Sequence, residues 1–141
     1  MYYVNREQLS VRLTVIPEVV EALQWLQANW NGSLIQSMAQ ERALHLAIEA
    51  VTDIGSCLID GFIMRDASSY EDIITIIAGE KVFPEDLQEP LLELVRLRRP
   101  LVQDYFEWDR GQLHPSAAQL PAVLTAFRQA VESYLIQELG A

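Results

Sequence analysis

Apolar residues recur every three or four positions through most of the chain, which is the spacing of a helix with one buried face. In the first segment this pattern runs through Leu9, Leu13, Ile16, Val20, Leu23 and Leu26. Asn5 followed by Gln8 forms a capping-box pattern at its start, and Pro17 is expected to kink or break the helix near its middle. No segment alternates apolar and polar residues between turns, as a half-buried strand does.

A second helical pattern is unusually long and runs from residue 34 to about residue 64. Gly55 is expected to weaken its far end, because glycine costs ~1 kcal/mol relative to alanine inside a helix. A third, short helix is predicted to begin at a capping box of Ser68 and Glu71 and to end near Gly79.

Prolines mark the boundaries in the second half of the chain. Pro84 suits the first position of a fourth helix. Pro100 is expected to bend or restart the chain and to push Arg99 away from helical geometry. A last helix is predicted from about Pro115 to Gly140. These patterns predict an all-α bundle of five or six helices, in a single domain that spans residues 1–141.

The composition fits one folded domain of 141 residues, with 50% hydrophobic and 21% charged residues, and excludes a disordered chain. The single cysteine, Cys57, excludes an intrachain disulfide and a cysteine-based zinc cluster. The start of the chain lacks the pattern of a secretory signal, and no apolar stretch approaches the ~20 residues that cross a bilayer. We therefore expect a cytoplasmic protein without membrane association.

The charge balance is strongly acidic, with 10 Lys and Arg against 20 Asp and Glu and a formal net charge of −10. Such a field repels phosphate at long range, which argues against constitutive binding of nucleic acid or anionic membranes. It leaves open a small local basic site.

Polar residues of the long helix fall on one stripe, made up of Arg42, His45, Glu49, Asp53, Ser56 and Asp60. Two interpretations are open: the stripe faces a polar cleft of a central helix, or it is the solvent side, with Arg42 or His45 paired to Glu49. The carboxylates of Glu49 and Asp53 are one turn apart, as in acid–base or metal sites. No Glu-x-x-His pairs occur elsewhere to complete a di-metal bundle, so no metal or cofactor is predicted.

Three of the ten basic residues, Arg96, Arg98 and Arg99, lie within four positions. A guanidinium cluster in an acidic protein can bind a phosphate or a carboxylate. The alternative is that these arginines pair with Glu93, with Asp104 or with the acids of the long helix.

The segment that follows resembles the signature of HepT-like proteins in the HEPN superfamily, and it reads Arg98-Arg99-Pro100-Leu101-Val102-Gln103-Asp104-Tyr105. The family pattern is Arg, usually Asn, any residue, Leu, Val, His, any residue, Tyr. Residues 41–55, 60–66 and 69–73 are also similar to family motifs. The resemblance covers nearly the whole chain and is strongest to a branch found in Bacillus-type bacteria.

This resemblance implies a homodimeric all-α domain, often encoded beside a small nucleotidyltransferase antitoxin. Active members of the family resemble metal-independent ribonucleases, in which the Arg and His face each other across the dimer cleft. The partner can attach AMP to the Tyr. By position, Arg98 matches the Arg, Tyr105 matches the Tyr, and Asp53 matches the acidic position of the central helix.

The sequence departs from the family at Gln103, where the family has His, and at Arg99, where it usually has Asn. Cleavage of RNA without a metal needs groups that take and give protons, and a glutamine amide does not titrate. His45 and His114 are the imidazoles available as substitutes.

Two functions follow from these patterns. One is a dimer with weakened or lost nuclease chemistry, which binds a nucleotidyltransferase-type partner, a nucleotide or RNA at Arg96, Arg98 and Arg99. The other is an active ribonuclease toxin that uses Arg98, Gln103 and Tyr105. Tyr105 is either an acceptor of AMP or a core tyrosine. A homodimer is expected because the apolar long helix needs more cover than short neighbours supply.

Overall fold

Six α-helices form the molecule in a computed structural model, which describes residues 2–140. They are α1 (Arg6–Leu13), α2 (Val15–Asn29), α3 (Leu34–Gly61), α4 (Tyr70–Gly79), α5 (Gln88–Arg96) and α6 (Leu120–Leu139). Short 3₁₀ turns lie at Glu85–Leu87, Tyr105–Glu107 and Pro115–Ala118, and a π-helical turn spans Arg99–Gln103. Residues 2–140 contain no strand, which confirms the predicted all-α class. Within the same residues, no helix combines the length and the apolar character that crossing a bilayer requires.

Side-chain caps set the starts of α1 and α4. The backbone N–H of Gln8 donates to Oδ1 of Asn5 at 3.0 Å, as the capping pattern predicts. Ser69 caps α4, because its Oγ accepts from the backbone N–H of Asp72 at 3.0 Å. The cap predicted at Ser68 is therefore wrong by one residue. Ser68 instead donates its N–H and its hydroxyl to the Asp72 carboxylate.

The long helix α3 is central, since α1, α2, α4 and α5 all pack against it. Its buried side chains include Ala43, Leu44, Ala47, Ile48, Val51, Ile54 and Leu58. The helix ends at Gly61, earlier than the predicted end near Met64. It passes through Gly55 without a break, so the expected weakening is not visible in its path.

Gly55 lies at a close contact between α3 and α4. A Cβ atom at this position would overlap Cγ2 of Ile73 on α4. The absence of a side chain at Gly55 therefore permits the packing of the two helices, which offsets its poor helix propensity.

Pro17, Pro84 and Pro115 lie near the starts of helices and do not interrupt helix interiors. The chain does break as Pro17 predicts, but at Thr14, and Pro17 lies in the first turn of α2 where its missing N–H costs no bond. Pro84 and Pro115 each lead into a 3₁₀ turn, and α5 and α6 begin only after it. The end predicted at Gly140 is confirmed by its left-handed φ of +77°.

The backbone stays helical through Pro100, which changes the geometry of the motif segment. Arg98 has helical dihedral angles, and Asp104 closes the π turn by donating its N–H to the Arg99 carbonyl at 2.9 Å. The prediction that Arg99 leaves helical geometry is therefore wrong. The helix widens into a π turn, which accommodates a proline that has no N–H to donate. At Asp104 the dihedrals leave the helical region, so Arg98 and Tyr105 do not share one regular helix face.

Candidate nucleic-acid interface

Arg98 is held by an aromatic ring and has no carboxylate against it. Its guanidinium carbon lies 4.2 Å from the centre of the Tyr70 ring, in the first turn of α4. Within residues 2–140, Arg98 forms no ion pair, and its buried Nε has no hydrogen-bond partner. The cation therefore keeps a charge that no acid of the described chain neutralises, beside a ring that favours a guanidinium by ~0.5–1 kcal/mol.

The two neighbouring arginines are neutralised by acids. Nε of Arg96 lies 2.6 Å from Glu71 and its Nη1 lies 3.1 Å from Glu89, and these hydrogen bonds raise the pKa of Arg96. Nε of Arg99 lies 3.4 Å from Asp104, a partner that the sequence predicts. The acids predicted for Arg96 were wrong, because α4 and α5 place other carboxylates closer. Arg98 is thus the exception within its own cluster.

Gln103 and Tyr105 are both exposed, at the end of the π turn and just after it. Gln103 is the last residue of that turn, and the Tyr105 side chain is 53% exposed. The Tyr105 ring contacts Phe106 edge-on, with ring centres 5.8 Å apart, and Phe106 is exposed too. The interpretation of Tyr105 as a core tyrosine is therefore wrong. The motif segment presents Arg98, Gln103 and Tyr105 on a short irregular stretch that solvent and partners can reach.

The polar stripe of α3 lies at the surface, and most of its charges are paired. Nε2 of His45 is 3.3 Å from Glu49, and Asp53 is 3.6 Å from Nε of Arg12. Arg42 is exposed and has no ion pair in the described chain. Among residues 2–140, no three His, Cys, Asp or Glu side chains converge as metal ligands would. The solvent-side interpretation of the stripe, with His45 paired to Glu49, agrees with this geometry.

Neither histidine is arranged like the missing motif imidazole. Nδ1 of His114 accepts the backbone N–H of Ser116 at 3.1 Å, and the ring stacks on Trp108 at 5.8 Å. Burial lowers the pKa of His114. Since the acceptor nitrogen is already used and the charged form is disfavoured, His114 is poorly suited to move protons. His45 is engaged by Glu49 on the stripe of α3.

The loop after the motif is fixed to α3 by two fully buried polar side chains. Oγ of Ser37 accepts the backbone N–H of Gly111 at 2.6 Å. Gln40 donates to the carbonyl of Gln112 at 3.1 Å and accepts the N–H of His114 at 2.7 Å. These bonds satisfy irregular backbone that would otherwise be buried without partners.

Sequence patterns do not identify Tyr70, Ser37 or Gln40 as part of this region. Tyr70 lies inside a stretch that is similar to the family, but nothing local pairs it with Arg98. A signal does exist for Gln40, which is a polar residue on the apolar side of α3. Polar residues on a buried helix face indicate specific hydrogen bonds.

A family model described as Ribonuclease HepT-like matches residues 13–131. The match covers most of the chain, and the motif segment lies inside it. The chain therefore belongs to the HepT-like ribonuclease family, as its motifs predict.

Known relatives agree with this assignment. YutE of Bacillus subtilis (strain 168), which is provisionally named as an RNase, is 39% identical over 140 residues, covering 99% of this chain and 96% of YutE. A solved structure of YutE, described as a cytosolic protein of unknown function, superposes with a TM-score of 0.89 at 36% identity, covering 100% of this chain and 97% of that chain. A solved toxin–antitoxin structure with AMP-PNP gives a TM-score of 0.77 at 16% identity, covering 90% of this chain and 98% of that chain. At that identity the likeness shows the fold alone.

Proposed function

We propose that this chain is a dimeric HepT-like protein that binds RNA through Arg98 and has lost most or all of its ribonuclease activity. The observation that carries the proposal is the state of Arg98, which is the motif arginine and has no neutralising acid. Because the same motif has Gln103 in place of histidine, binding and cleavage are separated in this protein.

A phosphate is the ligand best matched to Arg98. A guanidinium binds phosphate oxygens through charge-assisted hydrogen bonds, and Tyr70 limits how far the guanidinium can turn. The net charge of −10 weakens attraction to RNA over long distances. RNA binding is therefore expected to be local, to depend on Arg98 and to weaken as salt is added.

Gln103 removes the proton-transfer step from the chemistry. Cleavage next to a 2′-hydroxyl needs one group that takes its proton and another that protonates the leaving oxygen, and such catalysis contributes ~10²–10⁴-fold. The Gln103 amide can orient an RNA oxygen by hydrogen bonding but cannot exchange a proton near neutral pH. Turnover is expected to be lower by about this factor than in relatives with histidine.

An active ribonuclease is the second candidate, and the family description and the provisional name of YutE favour it. In that case Arg98 and Tyr105 stabilise and orient the reacting phosphate while Gln103 positions a water or a hydroxyl. Cleavage by the wild-type protein that disappears in Arg98→Ala would support this candidate over the first.

The dimer is supported by an exposed apolar cluster on the first turns of α3. The side chains of Leu34, Ile35 and Met38 are 60%, 78% and 51% exposed. Exposed clusters of this kind mark interaction surfaces, and a second copy gives a two-fold contact of identical patches.

Light scattering at micromolar concentration should give a dimer. We expect Ile35→Lys to shift it to monomer, whereas Val11→Lys at an exposed site on α1 should not.

A nucleotidyltransferase-type partner is the other part of the proposal. The Tyr105 side chain is exposed and so is accessible to an enzyme, and the fold neighbour is described as a toxin–antitoxin with AMP-PNP. In the expected reaction, the Tyr105 oxygen attacks the α-phosphorus of ATP, loses its proton and displaces pyrophosphate. Intact mass after incubation with ATP and a nucleotidyltransferase encoded beside this chain should show one adenylyl group. An unchanged mass, or a gain that survives Tyr105→Phe, would remove Tyr105 as the acceptor.

RNA binding by Arg98→Ala tests the main proposal. Fluorescence anisotropy with a labelled single-stranded RNA should show weaker binding than for the wild type. Lys81→Ala is a control matched in charge, because Lys81 lies beyond the other end of α4, ~15 Å from Tyr70 by the helix rise, and has no ion pair in the described chain. Equal loss in both variants would show that net charge, and not the motif arginine, governs binding.

A further inference from the structure

A groove that contains two arginines borders the motif segment. It is lined by Met38, Glu41, Arg42, His45, Leu101 and Arg110, and it encloses about 240 Å³. Leu101 belongs to the π turn and follows Arg98 by three residues. The groove therefore begins about one helical turn from the motif arginine, on the side that faces α3.

The charges of this groove leave Arg42 uncompensated. Glu41 accepts two hydrogen bonds of 2.9 Å from Arg110, which neutralises that guanidinium and fixes it in place. The carboxylate of Glu49 is already paired, since its Oε1 lies 3.3 Å from Nε2 of His45. Arg42 is exposed and has no ion pair within residues 2–140. Although acids outnumber bases in this chain by two to one, Arg42 and Arg98 both stay unpaired beside the same turn.

We propose that this groove is a second phosphate-binding site, in which Arg42 binds another phosphate of the RNA strand that Arg98 contacts. The inference rests on the proposed function, because it assumes that Arg98 holds the first phosphate. Arg42 supplies the charge, and Arg110, whose charge Glu41 neutralises through Nε and Nη2, supplies N–H donors on Nη1 in a fixed orientation. Two guanidiniums around a shallow groove suit a tetrahedral anion with several acceptor oxygens.

The groove also has a defined relation to the apolar cluster proposed for dimer contact. Met38 belongs to both, so the groove lies at the edge of that cluster. In a two-fold dimer formed through the cluster, each copy would keep Arg42 at the rim of the interface.

The salt dependence of RNA binding tests this inference. For single strands, the slope of log affinity against log salt changes by ~0.7 for each phosphate contact. We expect Arg42→Ala to reduce the slope by about that amount and to weaken binding roughly fivefold. Arg42→Lys should keep the slope of the wild type, because the charge is retained. Lys81→Ala is the control for net charge.

Each outcome separates the two proposals. If Arg98→Ala weakens binding while Arg42→Ala leaves affinity and slope unchanged, the groove is not a phosphate site and the proposed function stands. If Arg42→Ala weakens binding and Arg98→Ala does not, the groove binds RNA and the proposed function is wrong. If the wild-type protein binds no single-stranded RNA, both are overturned.

Discussion

The guanidinium carbon of Arg98 lies 4.2 Å from the centre of the Tyr70 ring, so a residue of α4 holds the motif arginine that follows α5. The ring takes the place that a carboxylate occupies beside Arg96 and Arg99. An aromatic partner orients a cation without cancelling its charge. A phosphate ligand needs this retained positive charge for charge-assisted hydrogen bonds.

Substitutions of Tyr70 test this arrangement. Tyr70→Leu removes the ring that orients the Arg98 guanidinium, so RNA affinity should fall about two- to fivefold. Tyr70→Phe keeps the ring and should bind RNA like the wild type. Anisotropy titrations at one salt concentration compare the three proteins. An equal loss in Tyr70→Phe would show that the hydroxyl, and not the ring face, is what matters.

Gly55→Ala should destabilise the fold, because its methyl group would overlap Ile73 across the interface of α3 and α4. Overpacking of this kind costs about 1–3 kcal/mol, which outweighs the gain in helix propensity. Thermal unfolding followed by circular dichroism measures the change in Tm. Gly79→Ala is the matched control, since a Cβ there meets no atom within 4 Å. A Gly55→Ala protein as stable as Gly79→Ala would contradict the close packing.

The carboxylate of Asp72 should contribute stability that depends on pH. Hydrogen bonds from Arg65, and then from the Ser68 backbone, hold the pKa of Asp72 well below its usual range. A lowered pKa in the folded state means that the stabilisation is present above the unfolded pKa of ~3.9 and is lost as the pH falls toward the folded value. Asp72→Asn should therefore lower Tm at pH 7, and its difference from the wild type should shrink below about pH 4. A difference that stays constant across this range would rule out the charge as its cause.

Gln40→Leu should loosen the loop that follows the motif. The substitution leaves the Gln112 carbonyl and the His114 N–H without their partners, at a cost of about 1–3 kcal/mol for buried groups. Hydrogen exchange at the His114 amide should accelerate more than exchange in α2. Gln27→Leu, at an exposed position of α2, should change neither. Unchanged protection of His114 in Gln40→Leu would show that the loop is held by other contacts.

Local patterns predict what local forces determine in this chain. The spacing of apolar residues predicts the all-α class and the long α3, and the Asn5 cap is where the capping pattern expects it. The π turn is not predictable in this way, because a proline can either end a helix or be accommodated by a widened turn, and the local sequence does not distinguish the two. Ser68 and Ser69 are adjacent, and the sequence alone does not show which of them caps α4. In the structure Ser69 accepts the backbone N–H of Asp72, while Ser68 donates to the Asp72 carboxylate.

The candidate site is predictable only in part. The arginine cluster is visible in the sequence, but which of its members stays charged depends on carboxylates and a ring that other helices bring close. The pairing of Arg98 with Tyr70 joins two segments that are distant in sequence, and no periodicity links them. The same holds for Arg42, whose groove forms only when the π turn packs against α3.

The cleavage rate of one labelled single-stranded RNA, measured for the wild type, Arg98→Ala, Gln103→His and the double variant Gln103→His with Arg98→Ala, tests the central claim most directly. If the scaffold binds RNA and lacks only the proton-transfer group, the wild type should give no cleavage above background and Gln103→His should cleave, with a gain of about 10²–10⁴-fold at most. The double variant should be inactive again. Cleavage by the wild type that requires Arg98, or a Gln103→His protein that binds RNA and does not cleave it, would contradict the account.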